Sequence, residues 1–170
     1  MIKTRIAFAV IGILVGIFAF ICFWAGFQNL NASLWGLVSG VFAGFTLYIL
    51  VRYHRQTINA LGSSLKLWML LGCFGQLAGV CALVTYLSLG GVLGQGLSEI
   101  HGNNFWIAAV WGFMTWKWGF MLFYTSRLCW REFQAQYSLK NDSPQRTYSD
   151  PALGAETYSP NATEQTTPTA

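Results

Sequence analysis

Charge is what this chain of 170 residues has least of. Asp, Glu, Lys and Arg together make up 9%, where a soluble domain carries about 25%. Acid is scarcer still in four long apolar runs, Ile6–Phe27, Leu34–Val51, Leu65–Leu89 and Phe105–Ser126, which contain no Asp or Glu. A carboxylate relay through a membrane therefore has no residues to run on, and a proton-coupled carrier for a general anion is poorly supported. The signatures of common enzymes are missing too: no H-E-x-x-H, no G-x-S-x-G and no carboxylate pair within a run. Cys22, Cys73, Cys81 and Cys129 form no C-x-x-C pair, which argues against a disulfide framework or thiol redox chemistry and leaves apolar packing as their role.

What the chain has instead is apolar length, with 54% hydrophobic residues. Each run is long enough to cross a hydrocarbon core of about 30 Å. The predicted fold is an all-α integral membrane protein with four transmembrane helices. Lys3 and Arg5 precede the first run, whose apolar length exceeds that of a signal-peptide core, so it reads as an uncleaved anchor.

Basic residues set the expected orientation. Lys3 and Arg5 lie before span one, Arg52, Arg55 and Lys66 between spans two and three, and Arg127, Arg131, Lys140 and Arg146 after span four. The connections Gln28–Ser33 and Gly90–Asn104 have no Lys or Arg. The positive-inside rule then puts both termini in the cytosol. The net charge of +4 expresses that asymmetry and gives no reason to expect nucleic acid as a partner. Trp24, Trp35 and Trp106 fall near the outer interface, and Trp68 and Trp130 near the inner one, as lipid-anchoring rings do.

Residues 1–137 are thus read as a four-span domain in the lipid bilayer, and residues 138–170, rich in Ser, Thr, Pro, Asn and Gln, as a disordered cytosolic tail. The N-glycosylation patterns at Asn141 and Asn161 would be cytosolic and unmodified, and that at Asn31 lies outside but against the membrane. Glycines recur every four residues, at Gly12 and Gly16, at Gly36, Gly40 and Gly44, and at Gly75 and Gly79. Such stripes let helices approach closely, either within one bundle or between copies in a homo-oligomer.

Lys117 stands inside the last run, in Phe113-Met-Thr-Trp-Lys-Trp-Gly-Phe-Met-Leu-Phe123. An ammonium there costs about 2.5–3.5 kcal/mol on insertion scales, and intramembrane charges usually face a partner or a cavity. With no acid in any run, its candidate partners are carbonyls, hydroxyls, water or an anionic ligand. Trp111, Trp116 and Trp118 flank it at depths where anchoring does not explain them. His101 and His54 fall on opposite sides of the predicted membrane, and a neutral imidazole can ligate metal, haem iron included. Tyr53, beside His54, adds a possible oxygen ligand.

From Val110 to Phe133 the chain resembles span four and the segment after it in the haem-responsive-gene haem transporters, solute carrier family 48. The residues carrying this are Val110-Trp111, Lys117-Trp118, Phe120, Tyr124, Arg127, Arg131 and Phe133, with weaker likeness around Trp24 and Leu50-Val51. The resemblance implies haem as transported substrate rather than as a prosthetic group. It would pass from an endosomal, lysosomal or extracellular space into the cytosol, across an endolysosomal or plasma membrane. His54 would take the role of the family's histidine near span two, and His101 that of the outer-loop histidine, both toward haem iron. The family's cytosolic Phe-Ala-Arg-Lys-Tyr motif falls on Phe133-Gln-Ala-Gln-Tyr137, where the aromatic ends match and both basic residues are missing. Arg127 and Arg131 would supply the charge in an exit surface with Phe133 and Tyr137. Lys117 would pair a haem propionate, with Trp116 and Trp118 offering apolar faces. The rival reading is a tetraspan scaffold or accessory subunit, bound to other membrane proteins through its glycine stripes.

Overall fold

The computed structural model describes residues 2–55, 62, 64–96 and 102–142, and every regular element among them is helical. Helix α1 covers Ile2–Ile21 and runs into a π-helical turn, Cys22–Gly26. Helices α2 (Leu30–His54), α3 (Leu65–Val92) and α4 (Phe105–Asp142) follow. Helices suit such runs because, without water, every backbone N–H and C=O must be satisfied within its own segment. Among the described residues three helices, α1 with its π turn, α2 and α3, are long and apolar enough to cross a membrane. The surface agrees with that environment: Phe18 is 68% exposed and Leu77 62%, which only a lipid-facing or covered surface tolerates at this density. Helix α4 joins an apolar first half to a polar second half. It continues beyond Tyr137 to Asp142, through Glu132, Gln134 and Gln136, which are good helix formers.

The order across the bundle is α1, α2, α4, α3, with α2 and α4 as the inner pair. Helix α1 crosses α2 where Gly16 meets Gly40. A Cβ on Gly16 would lie 2.7 Å from the Gly40 Cα and 2.9 Å from its nitrogen. Helix α3 meets α4 in the same way, with Gly72 against the Phe123 backbone, Gly79 against the Trp116 backbone, and Gly119 against the backbone at Gln76. Gly12 accepts the face of the Trp118 indole, and Gly75 that of the Phe42 ring. The predicted stripes are therefore occupied within one chain. Lipid is as apolar as leucine, so close backbone packing, rather than exclusion from water, holds such helices together.

A polar knot fastens the end where α2 and α4 begin. Asn29, fully buried, caps α2 by accepting from the Ala32 N–H (3.0 Å) and donates its Nδ2 to the Asn104 carbonyl (3.0 Å). The Oδ1 of Asn104 accepts from the Trp106 N–H (2.9 Å), and the Trp106 indole N–H donates to the Gln95 carbonyl (3.0 Å). Gly102 N–H donates to the Phe27 carbonyl (2.9 Å), tying this loop to the one after α1.

The Gly16–Gly40 crossing makes an asymmetric prediction. A Cβ on Gly40 would sit 3.4 Å from the nearest atom, the Gly16 Cα, in ordinary contact. Gly16→Ala should therefore destabilise the detergent-solubilised protein by about 1–3 kcal/mol, as overpacking does, while Gly40→Ala should leave thermal stability nearly unchanged. Equal effects of the two in a thermal-shift measurement would contradict the crossing described.

Candidate functional site

Nearly all the basic residues expected on one side gather at one end of the bundle. The start of α1, the end of α2, the start of α3 and the second half of α4 meet there. Tyr53, half-buried, donates its hydroxyl to the Glu132 Oε1 (3.0 Å). His54 is the last residue of α2 and its ring is exposed. Lys66 places its Nζ 4.9 Å from the Trp130 ring centroid. Trp130, Phe133 and Tyr137 form a ladder of stacked rings, with centroids 5.7 and 6.4 Å apart. An open cleft of about 440 Å³ lies along that ladder, bordered also by Gln134 and Ser138. Cys129, buried beside it, has its thiol pushed up to about 12 by burial, with the Glu132 carboxylate adding to the effect. It stays a protonated packing group, as expected for an apolar cysteine.

Lys117 and Trp118 leave the helix about 100° apart, as neighbours must, one toward the surface and one toward the core. Trp118 is 6% exposed and belongs to the core with Ala9, Ala43 and Leu50. Lys117 is exposed on the outside of the bundle, its Nζ 5.2 Å from the Trp118 ring centroid. Such a cation–π contact is worth about 0.5–2 kcal/mol, which offsets only part of the cost of an ammonium in hydrocarbon. Trp116 is half-buried and its ring tilts against Phe113 (5.4 Å).

The exposed residues of α4 follow a 3–4 spacing that puts them on one face: Val110, Phe113, Lys117, Phe120, Tyr124, Arg127 and Arg131. Phe120 and Tyr124 are nearly parallel, with ring centroids 6.2 Å apart and 15° between their planes. One helix face thus carries three cations and an aromatic ledge from the middle of the apolar stretch to the basic end. Arg127 and Arg131 belong to this face rather than to the Phe133–Tyr137 ladder, which lies about a third of a turn away at 100° per residue. The structure therefore splits the expected exit group into two adjoining strips. The 3–4 spacing is present in the sequence, but a run that is apolar on every other face masks its sidedness.

At the opposite end a cleft of about 600 Å³ opens between α2, α3 and the start of α4, bordered by Asn31, Trp35, Cys81, Thr85, Tyr86 and Phe105 among others. Tyr86 is its hub. It accepts from the Trp35 indole N–H (3.1 Å), donates to the Asn31 Oδ1 (3.3 Å) and stacks on Phe105 (5.9 Å, 13°). The side chain of Asn31 is thus engaged in packing. Asn31, Tyr86 and Phe105 carried no such signal in the sequence, since three separate helix ends assemble the group. The second histidine, His101, lies outside the described residues.

The profile of a family described as "Haem-transporter, endosomal/lysosomal, haem-responsive gene" matches residues 65–118, that is α3 and the first part of α4 through Lys117-Trp118. Three curated proteins of Caenorhabditis elegans are similar to the chain. "Heme transporter hrg-1" is 30% identical over 133 residues, covering 76% of this chain and 65% of the relative. "Heme transporter hrg-6" is 27% identical over 120 residues and "Heme transporter hrg-4" 28% over 138, each covering 69% of this chain and 74% of the relative. The chain thus spans just under two thirds of the length of hrg-1. No solved structure matches it.

Cys129 offers a direct check on this end of the bundle. With its pKa raised to about 12, the thiol should resist maleimide at pH 8 in folded protein and react once the chain is denatured. Prompt labelling of Cys129 in the folded state, read by mass spectrometry of the peptide, would contradict its burial.

Proposed function

From a chain that belongs to the haem-responsive-gene family, we propose a carrier that moves haem from an endolysosomal or extracellular space into the cytosol. It has four membrane spans and both termini in the cytosol. The observation that carries this reading is the exposed face of α4, where Lys117, Phe120, Tyr124, Arg127 and Arg131 recur at helical spacing. Haem is a flat apolar ring with an iron centre and two propionates. Aromatic faces receive the ring and cations receive the propionates, each contact strengthened where water is scarce. The protein does no chemistry on the porphyrin; it binds, guides and releases.

In this reading His101 receives haem iron on the outer side, and the ring enters at the Trp35–Tyr86–Phe105 cleft. Its volume of about 600 Å³ falls within the range of about 300–1,000 Å³ usual for ligand sites. Lys117 then holds a propionate while Phe120 and Tyr124 support the ring. Trp118 fixes Lys117 from behind, and Trp116 and Phe113 flank it. His54 or Tyr53 takes the iron at the basic end, and Arg127 and Arg131, with the Phe133–Tyr137 ladder beside them, form the exit surface. The scaffold alternative loses its main support, because the glycine stripes are filled by helices of the same chain.

Two uptake measurements in a haem-auxotrophic host test this. Lys117→Met should lower haem uptake about 10- to 100-fold at equal expression, the worth of a lost charge-assisted hydrogen bond of about 1.5–3 kcal/mol, whereas Lys117→Arg should retain most of it. Full uptake by the methionine variant would remove the propionate role. In the second, His54→Ala with His101→Ala should abolish uptake and the Soret shift of purified protein on haem addition; an unchanged double variant would end the ligand relay.

A further inference from the structure

At the basic end α1, α2 and α4 border a half-open cavity of about 230 Å³ whose walls include the exposed side chains of Arg5 and Glu132 together with Leu50, Tyr53, Thr125 and Leu128. A water molecule occupies about 30 Å³ of liquid and sites for larger ligands begin near 300 Å³. The space therefore suits a group of several heavy atoms and is too small to enclose a macrocycle. Its polar equipment is unusual for a bundle so poor in charge. Thr125 is 4% exposed, and its hydroxyl finds no hydrogen-bond partner among the described residues. A buried hydroxyl left in that state is costly; Thr125 lines the cavity, and its sealed hydroxyl reaches a ligand there by turning about χ1. Glu132 uses one carboxylate oxygen to accept from Tyr53, which leaves its second oxygen and further lone pairs free. Arg5 lines the same cavity as Glu132, and no ion pair between them is found among the described residues.

Opposite charges that share a cavity without pairing match a ligand carrying both signs. The anion belongs against the Arg5 guanidinium, N–H donors against Glu132, and a short polar atom against Thr125. Depth narrows the source. The cavity lies at the start of α1 and the end of α2, where the apolar runs stop and the headgroup layer begins, and Leu50 and Leu128 supply apolar wall on the side of the spans. We propose that this cavity holds the phosphoethanolamine headgroup of a membrane aminophospholipid, with the phosphate on Arg5 and the ammonium on Glu132 and Thr125. The site does not depend on the haem reading, although it borrows Tyr53 as a wall. A choline headgroup offers no N–H and presents three methyls to Glu132, so the site discriminates against it.

The full chain, purified in mild detergent and stripped of lipid, tests this by native mass spectrometry with dioleoylphosphatidylethanolamine and dioleoylphosphatidylcholine in turn. Wild type should retain the ethanolamine lipid on the order of tenfold more tightly than the choline lipid, as befits hydrogen bonds to a charged group. E132Q should lose that preference, R5Q should weaken retention of both lipids alike because both carry the phosphate, and T125V, nearly isosteric and expected to fold, should weaken the preference. Equal retention of the two lipids by wild type overturns the proposal without recourse to any variant. Free phosphoethanolamine should displace the bound lipid; if it binds while neither lipid does, the lipid assignment falls and a soluble zwitterion takes its place. Haem binding by the Soret shift should be unchanged in T125V, so that failure here and failure of the haem reading are told apart.

Discussion

Backbone-to-backbone contact at glycine is the constraint from which the rest of this bundle follows. Gly16 on Gly40 sets how near α1 lies to α2, and Gly72, Gly79 and Gly119 set the approach of α3 to α4. In hydrocarbon there is no water to expel between helices, so stability rests on dispersion across surfaces that fit and on a few hydrogen bonds. Removing side chains at these crossings brings whole peptide planes into contact. Large rings then find seats elsewhere: Trp118 over Gly12, Phe42 over Gly75 and Phe133 over Gly62.

Close packing of this kind separates the working groups from the centre. The middle of the bundle is filled by Ile49, Leu122, Thr115 and Trp118, and the clefts described lie toward its two ends. Polar atoms follow the same division. Among the described residues, the end holding Asn29 and Asn104 is knitted by neutral amides and indole N–H groups, whereas the other end carries the guanidinium, ammonium and carboxylate groups. Lys117 is the exception, placed between the ends on the outer surface of α4, with an indole face as its immediate neighbour. On the proposed function, a cargo with acidic groups and a flat apolar body would use that surface rather than the interior.

Much of this was legible in the sequence. Four apolar runs became four helices, three of them meeting the length and hydropathy of a membrane span. The glycine spacing foretold close crossings, and Lys117-Trp118 pointed to the family. Sidedness was less legible. Lys117 reads from composition as a charge that must face a cavity, yet its neighbour Trp118 takes the inward position because Gly12 leaves room for an indole there. The length of α4 is less legible too, since apolar content ends near Ser126 while helix propensity continues through Glu132 and Gln136. Groups assembled from separate helix ends, such as Tyr86 with Trp35 and Asn31, or Tyr53 with Glu132, leave no local trace in a single sequence. They depend on which helices become neighbours.

The 38 residues of α4 rise about 57 Å at 1.5 Å per residue, nearly twice the hydrocarbon thickness of a bilayer. An uninterrupted rod of that length behaves as a mast: its angular phase inside the membrane is transmitted unbroken to its tip. Any soluble acceptor meeting the tip would find the Trp130–Tyr137 ladder at a fixed azimuth and height relative to Lys117. On the proposed function, a single helix would set both the vertical reach and the heading of a hand-over, with no hinge required to align them.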